Sequence, residues 1–267
     1  MIRVAAVGDI HLGQGAEGRL RPAFETLGDR ADLLLLAGDL TREGTEQEAR
    51  VVAGEIRGLP VPVVAVLGNH DHKSGRPHTV AEVLREAGAT VLQGACAVFE
   101  LAGTTVGVAG TKGFCGGFAG PGAGHGTEHQ GDGGDGGDGD VGDEGDVGDE
   151  GDEHAASLAT TRAHAEDLRR SLAELADAGS AVRIALTHYA PVTGTLAGEP
   201  AELYRYLGSP LLAEAIDGAG ADLAVHGHAH LGTERGRTPG GVQVRNVAQP
   251  VIGRPFAVYR LDGPPAR

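Results

Sequence analysis

The chain of 267 residues has no tryptophan, one methionine, two cysteines, five phenylalanines and four tyrosines. So few rings argue against a surface of aromatic platforms on which nucleobases stack, and leave Ala, Val and Leu to build the core. Cys96 and Cys115 lie far apart with no C-x-x-C spacing. That argues against a disulfide framework or a thiolate zinc site and predicts free thiols in a reducing compartment. No run approaches the roughly 18–20 apolar residues of a membrane span. Met1–Val7 leads straight into a strand-like segment, with neither an apolar leader nor a small-residue cleavage site behind it. The expected location is cytoplasmic, with no membrane partner. Positive charge is scarce too: 22 Lys+Arg against 37 Asp+Glu give a net charge of -15, without the basic stripe of an ordinary nucleic-acid-binding protein.

The negative charge is unevenly placed. Between Gly131 and Glu153 stand ten Gly, eight Asp, three Glu and two Val, so this tract carries -11 and the rest of the chain only -4. Glycine maximises chain entropy and like charges resist compaction, so the sequence predicts a disordered Gly/Asp-rich insertion at about 116–153. Gly-Asp repeats can bind Ca²⁺ in parallel β-helices, but such coils need an apolar residue in each turn, and only Val141 and Val147 are there to serve. Motif residues fall on both sides of the tract, so it is expected to interrupt one domain spanning 1–267 rather than join two.

Short apolar runs alternate with helical patterns. Val4–Val7, Asp32–Ala37 and Val61–Leu67 are expected as buried strands, with helices over Arg19–Leu27 and Thr45–Leu59 between them. A helix over Thr79–Ala87 follows, then strands at Val91–Leu92, Ala97–Leu101 and Thr105–Ala109. After the tract, Leu158, Ala165, Leu168, Leu172 and Leu175 recur at helical spacing. Strands at Val182–Thr187, Leu223–Val225, Val242–Val247 and Ala257–Leu261, and a helix near Pro210–Ile216, complete the pattern. Runs such as Leu33–Leu36 imply strands covered on both faces. The whole reads as an α/β fold with two sheets of roughly five strands, each covered by helices.

Polar residues of one chemical kind stand just after these strands. Asp9-Ile10-His11 follows the first, Gly38-Asp39 the second and Gly68-Asn69-His70-Asp71 the third; His188 and His226-Gly227-His228-Ala229-His230 follow later ones. Strand C-terminal ends are where open α/β sheets place their sites. If the chain stays extended, Asp9 with His11, and His228 with His230, each point two donors the same way. Carboxylate, imidazole and amide donors without thiolate suit Mn²⁺, Fe or Zn²⁺ better than a purely structural zinc. Asp9, His11, Asp39, Asn69, His188, His228 and His230 are too many for one ion and about enough for two, provided one carboxylate bridges.

The ordered set D-x-H, G-D-x-x-x-x-G (Gly38 to Gly44), G-N-H-D, a lone His and G-H-x-H resembles the calcineurin-like metallophosphoesterase superfamily over most of the chain, from Asp9 to His230. The resemblance implies a four-layer α/β/β/α sandwich with two mixed β-sheets. It implies a first divalent ion on Asp9, His11, Asp39 and His230 and a second on Asp39, Asn69, His188 and His228, with Asp39 bridging. Mn or Fe is favoured, and Zn, Co or Ni is admitted. His70 is implied to lie beside the ions. Its expected role is to protonate or stabilise the leaving oxygen, with Asp71 orienting its ring.

The expected activity is hydrolysis of a phosphodiester or phosphomonoester by hydroxide held between the two ions, on a small soluble substrate such as a nucleotide or cyclic nucleotide. A metal-dependent nuclease and a non-catalytic scaffold of the same fold are the alternatives; oligomeric state stays open. Lys112, Tyr189 and Arg254 are candidate substrate contacts. His226, pointing away from His228 on a regular strand, is expected to support the ligands or pack. His72, His78, His125, His129, His154 and His164 are expected at the surface.

Overall fold

The computed structural model describes residues 1–118 and 150–262. Strand β1 (Ile2–Val7) is followed by two single-turn helices, α1 (Arg21–Phe24) and α2 (Leu27–Arg30), then β2 (Leu33–Ala37), α3 (Glu46–Ile56), β3 (Val63–Val66), α4 (Pro77–Glu86) and β4 (Ala89–Val91). The second half runs β5 (Ala95–Leu101), β6 (Thr104–Thr111), α5 (Glu150–Asp177), β7 (Val182–Thr187), α6 (Tyr204–Leu207), α7 (Pro210–Ala219), β8 (Leu223–His226), β9 (Arg235–Arg237), β10 (Gln243–Asn246), α8 (Gln249–Ile252) and β11 (Ala257–Leu261).

The strands form two mixed sheets. The first has the order β11-β1-β2-β3-β4, with β1 to β4 parallel and β11 antiparallel at the edge. The second has the order β5-β6-β7-β8-β10-β9, parallel at its centre and antiparallel at both edges.

Alternation along each strand assigns every side chain to one of two buried faces. Ile2, Val4, Ala6, Leu33, Leu35 and Val64 meet Val106, Val108, Ile184, Leu186 and Val225 between the sheets. The intervening residues Ala5, Val7, Leu34, Leu36 and Ala65 pack outward under α3 and α4. Ala109, Ala185, Ala224 and Val244 do the same under α5 and α7. The result is the α/β/β/α sandwich with two mixed sheets that the strand pattern and the resemblance called for.

Local chemistry fixes the helix starts. Thr45 and Glu48 form a reciprocal capping box at α3, satisfying two orphan N–H groups. Ser209 caps α7, whose first position is the pre-formed φ of Pro210.

Two elements differ in detail from the expectation. The single helix read over Arg19–Leu27 is two short helices, because the buried Glu55 carboxylate takes the N–H groups of Gly18, Leu20 and Arg21 and holds this segment as a folded loop. Strand β9 went unread, since Arg235-Gly236-Arg237 has no apolar residue and lies at an exposed edge. The proposed insertion at 116–153 falls mostly outside the described residues. At its ends, Phe118 is buried against Tyr204 and Leu207, and α5 begins at Glu150.

Candidate metal centre

Strands β1, β2 and β3 point their C-terminal ends to one edge of the first sheet, and Asp9, Asp39 and Asn69 stand in the loops just beyond them. β7 and β8 deliver His188, His228 and His230 from the second sheet. Hydrogen bonds lock the two sets together: His188 Nδ1 lies 2.9 Å from the Ala37 carbonyl, and the Asp9 carboxylate accepts the His228 N–H at 2.9 Å. The expectation of extended backbone at the paired motifs does not hold. Asp9, His11, Asp39 and His228 have φ of 54°, 41°, 50° and 71°. Four of the five described non-glycine residues in the left-handed region thus sit in this one cluster. Such conformations cost about 1–3 kcal/mol each and persist where the surroundings over-determine them, commonly at functional sites.

Ligand atoms of Asp9, His11 and His230 lie within 4.8 Å of one another, as do those of Asp39, His188 and His228, and those of His11, Asp39 and His70. Asp39 belongs to two of these groups, and its oxygens divide between them. Oδ1 faces His188 Nε2 at 3.4 Å, while Oδ2 faces His11 Nε2 at 3.8 Å and His70 Nε2 at 3.9 Å. Asn69 Oδ1 is 2.9 Å from the same His188 Nε2. When Nδ1–H of His188 donates to Ala37, its Nε2 lone pair meets oxygens of Asn69 and Asp39, so three acceptors converge with no donor among them. That is an arrangement a cation resolves. Around His228, a proton on Nε2 can be donated to the Tyr206 carbonyl at 3.3 Å, leaving Nδ1 as donor atom.

Burial disfavours charge on His188, but Asp39 outweighs it and raises its pKa to about 9, so a proton serves as the positive charge between these acceptors. Burial alone would raise the Asp39 pKa, yet the surrounding imidazoles, His188 foremost, hold it far below the carboxylate range. His11 and His228 lack such a dominant partner, and burial depresses them to about 4 and 3. The His230 pKa is raised by its hydrogen bond to Asp9 at 2.9 Å. Nitrogen and oxygen donors of this kind, without sulfur, fit divalent Mn, Fe, Zn, Co or Ni.

The structure also places residues differently from the sequence reading. Asp71 does not orient the His70 ring. Its fully buried carboxylate accepts the N–H groups of Gly68, Leu40 and Thr41 and the Thr41 hydroxyl at 2.8–3.2 Å and 2.6 Å, tying two motif loops together. The ring is set instead by the Arg42 carbonyl, 2.8 Å from Nδ1.

His226 is fully buried outside these groups, with Nε2 2.8 Å from Thr195 Oγ1. Tyr189 lies against His228 with ring centroids 4.3 Å apart. Arg254 is exposed and in electrostatic range of Tyr259.

His72 and His164, read as surface residues, are half-buried around Lys112. His78 is exposed, as expected, while His125 and His129 and the side chain of His154 lie outside the described part of the structure. Arg19 was missed altogether: its guanidinium donates to the Ile10 carbonyl at 2.6 Å, bracing the Asp9–His11 turn. Nothing in local sequence marks that contact.

Comparison with known proteins bears on the fold and the family. The fold is similar to phosphopantetheinyl hydrolase from Mycobacterium tuberculosis, at 15% identity and a TM-score of 0.60, with 92% of this chain and 88% of that one covered. It is also similar to a putative 5'-nucleotidase from Staphylococcus aureus, at 17% identity and a TM-score of 0.55, covering 92% of this chain but 48% of the other. TT1561 of Thermus thermophilus aligns at 15% identity and a TM-score of 0.51 over 97% of this chain and 98% of its own. No curated protein matches the chain. The model of the family described as calcineurin-like phosphoesterase matches residues 2–232, which hold every donor of the cluster, and the chain belongs to that family.

Proposed function

We propose that this chain hydrolyses phosphate esters with two divalent cations, one held by Asp9, His11, Asp39 and His230 and the other by Asp39, Asn69, His188 and His228. The observation that carries the reading is the divided carboxylate of Asp39, whose two oxygens face different donor groups. Bound divalent ions supply Lewis acidity to the phosphoryl oxygens and a water acidified towards neutrality.

The protein supplies the balance of charge. Only Asp9 and Asp39 among the seven donors are anionic, so amide and imidazole ligands leave the loaded site net positive towards an anionic ester. His70 is anchored through Nδ1 to the Arg42 carbonyl and turns Nε2 towards the centre. In its protonated form it has a proton to give the leaving oxygen without losing that anchor. A small phosphate ester, a nucleotide or cyclic nucleotide first, is the favoured substrate. The names of the hydrolase and nucleotidase with similar folds support this choice. No helix among the described residues is long and apolar enough to cross a membrane.

The test is metal analysis of protein reconstituted with Mn²⁺, together with turnover of an aryl phosphate and a bis-aryl phosphate before and after chelation. About two ions per chain and chelator-sensitive turnover are expected. Fewer than one ion, or turnover indifferent to chelation, overturns the proposal.

A further inference from the structure

Next to the cluster lies a second group of polar side chains that the chemistry above leaves unused. Lys112 follows the end of β6, and its carbonyl accepts the N–H groups of both His188 at 2.9 Å and Tyr189 at 3.1 Å, so its backbone is fixed to the candidate centre. Its ammonium lies 5.2 Å from the ring centre of Phe114 and 5.9 Å from that of Tyr189. It is half-buried, and among the described residues no carboxylate forms an ion pair with it. Asp39 acts on it only at longer range. A cation withdrawn from water without a counter-charge is costly to keep and calls for an anion.

Two imidazoles flank it. His72, from the turn after Asn69, and His164, from α5, are both half-buried and both within electrostatic range of Lys112. The Thr111 hydroxyl is 2.8 Å from His164 Nδ1, and when it donates there the proton of the neutral ring stays on Nε2 as a donor. Three separate stretches of chain thus bring one ammonium and two imidazoles together beside the metal donors, with His164 oriented by Thr111.

We propose that Lys112, His72 and His164 form a subsite for a second anionic group, so that the preferred substrates carry a phosphate or carboxylate besides the ester that is cleaved. This rests on the metal-centre reading for the first anion and adds the class of substrate. An ammonium beside the oriented His164 ring, with the His72 imidazole near by, suits a compact oxyanion.

The test uses full-length, Mn²⁺-loaded protein and calorimetric titration with phosphonates, which hydrolysis does not consume. Alkylphosphonates from ethyl to pentyl are each compared with the counterpart ending in a carboxylate. At one or more lengths the carboxylate compound should bind about tenfold tighter. That ratio should fall to about two or less in K112Q and shrink in H164N, and K112R should keep most of it. H164N lies on a helix that carries no metal donor and so stands as an independent variant.

A wild-type ratio near one at every length, with plain phosphonates still bound, overturns the subsite and leaves the metal centre standing. So does a ratio that survives both K112Q and H164N. Failure to bind Mn²⁺ and every phosphonate removes the metal-centre reading, and the subsite falls with it.

Discussion

The glycine before His228 is bare because Asp9 occupies the place where a side chain would go. A Cβ built on Gly227 runs into Asp9 Oδ2, and one on Gly68 runs into Asp39 Oδ1. The motif glycines are therefore spacing elements that let ligands from two loops share one volume. Gly227→Ala should displace the Asp9 carboxylate. A shift of about 1 Å costs on the order of 10²-fold in turnover, so kcat/KM and bound metal should fall together, the latter read by elemental analysis.

His70 should behave differently. Its ring is held by a backbone carbonyl, and the implied ligand sets are complete without it. His70→Ala should lower kcat by about 10²–10⁴ while two ions remain bound. Loss of metal in step with activity would instead make it a ligand, which its place in a group with His11 and Asp39 permits. At this scale six of the seven candidate donors were legible because each sits in a short fixed motif, and the lone His188 through its place after a buried strand between the third and last motifs. His72, His164 and Arg19 were not, because only tertiary folding brings them from the turn after Asn69, α5 and the loop before α1 to the rim.

Between elements, the loops after β2 and β3 are joined by one side chain. Asp71 leaves the short turn after β3 and receives two N–H groups and a hydroxyl from Leu40 and Thr41, plus the N–H of Gly68. Asp71→Asn puts an amide –NH₂ where one of these donors points, at a fully buried position. A stability loss of about 2–3 kcal/mol is expected in urea unfolding, of the size seen when hydrogen bonds to a buried charge are lost. If Asp71 were instead a catalytic partner of His70, the same change would lower kcat and leave the unfolding midpoint in place.

The elements themselves were legible where burial imposes a pattern. β7 and β11 match their sequence reading residue for residue, since Val182–Thr187 and Ala257–Leu261 are largely apolar stretches, each broken by a single arginine. β9 was invisible because an exposed edge strand needs no apolar residue. The paired Asp9 and His11 were assigned correctly as neighbours but for a mistaken reason. They converge through left-handed backbone, which sequence does not display, rather than through strand alternation.

Across the whole molecule, the candidate ions would join the two sheets. Asp9, Asp39 and Asn69 come from the loops of the first sheet and His188, His228 and His230 from those of the second, so binding adds a tie across the sandwich that the apolar interface alone does not provide. A ligand that binds only the folded state stabilises it by about 2.7 kcal/mol at a hundredfold excess over its dissociation constant. For a chain of this size each kcal/mol raises the melting midpoint by about 2–4 °C.

Saturating one site with Mn²⁺ should therefore raise Tm by about 5–10 °C, and a chelator should reverse it. The pH dependence of the metal-free form should differ from that of the loaded form. His188, with its pKa raised to about 9 by the Asp39 carboxylate, contributes stability that is full below its unfolded value near 6.5 and disappears as pH climbs through 9. The metal-free protein should lose Tm across that window. The loaded protein, in which His188 is already deprotonated, should not, and its Mn²⁺ affinity should strengthen as pH rises from 6 to 8 because the cation has to displace the His188 proton, which is released more readily as protons become scarcer. Calorimetric scans of both forms at pH 6, 7.5 and 9 decide it: parallel Tm curves would mean that no cation replaces the proton between His188, Asn69 and Asp39.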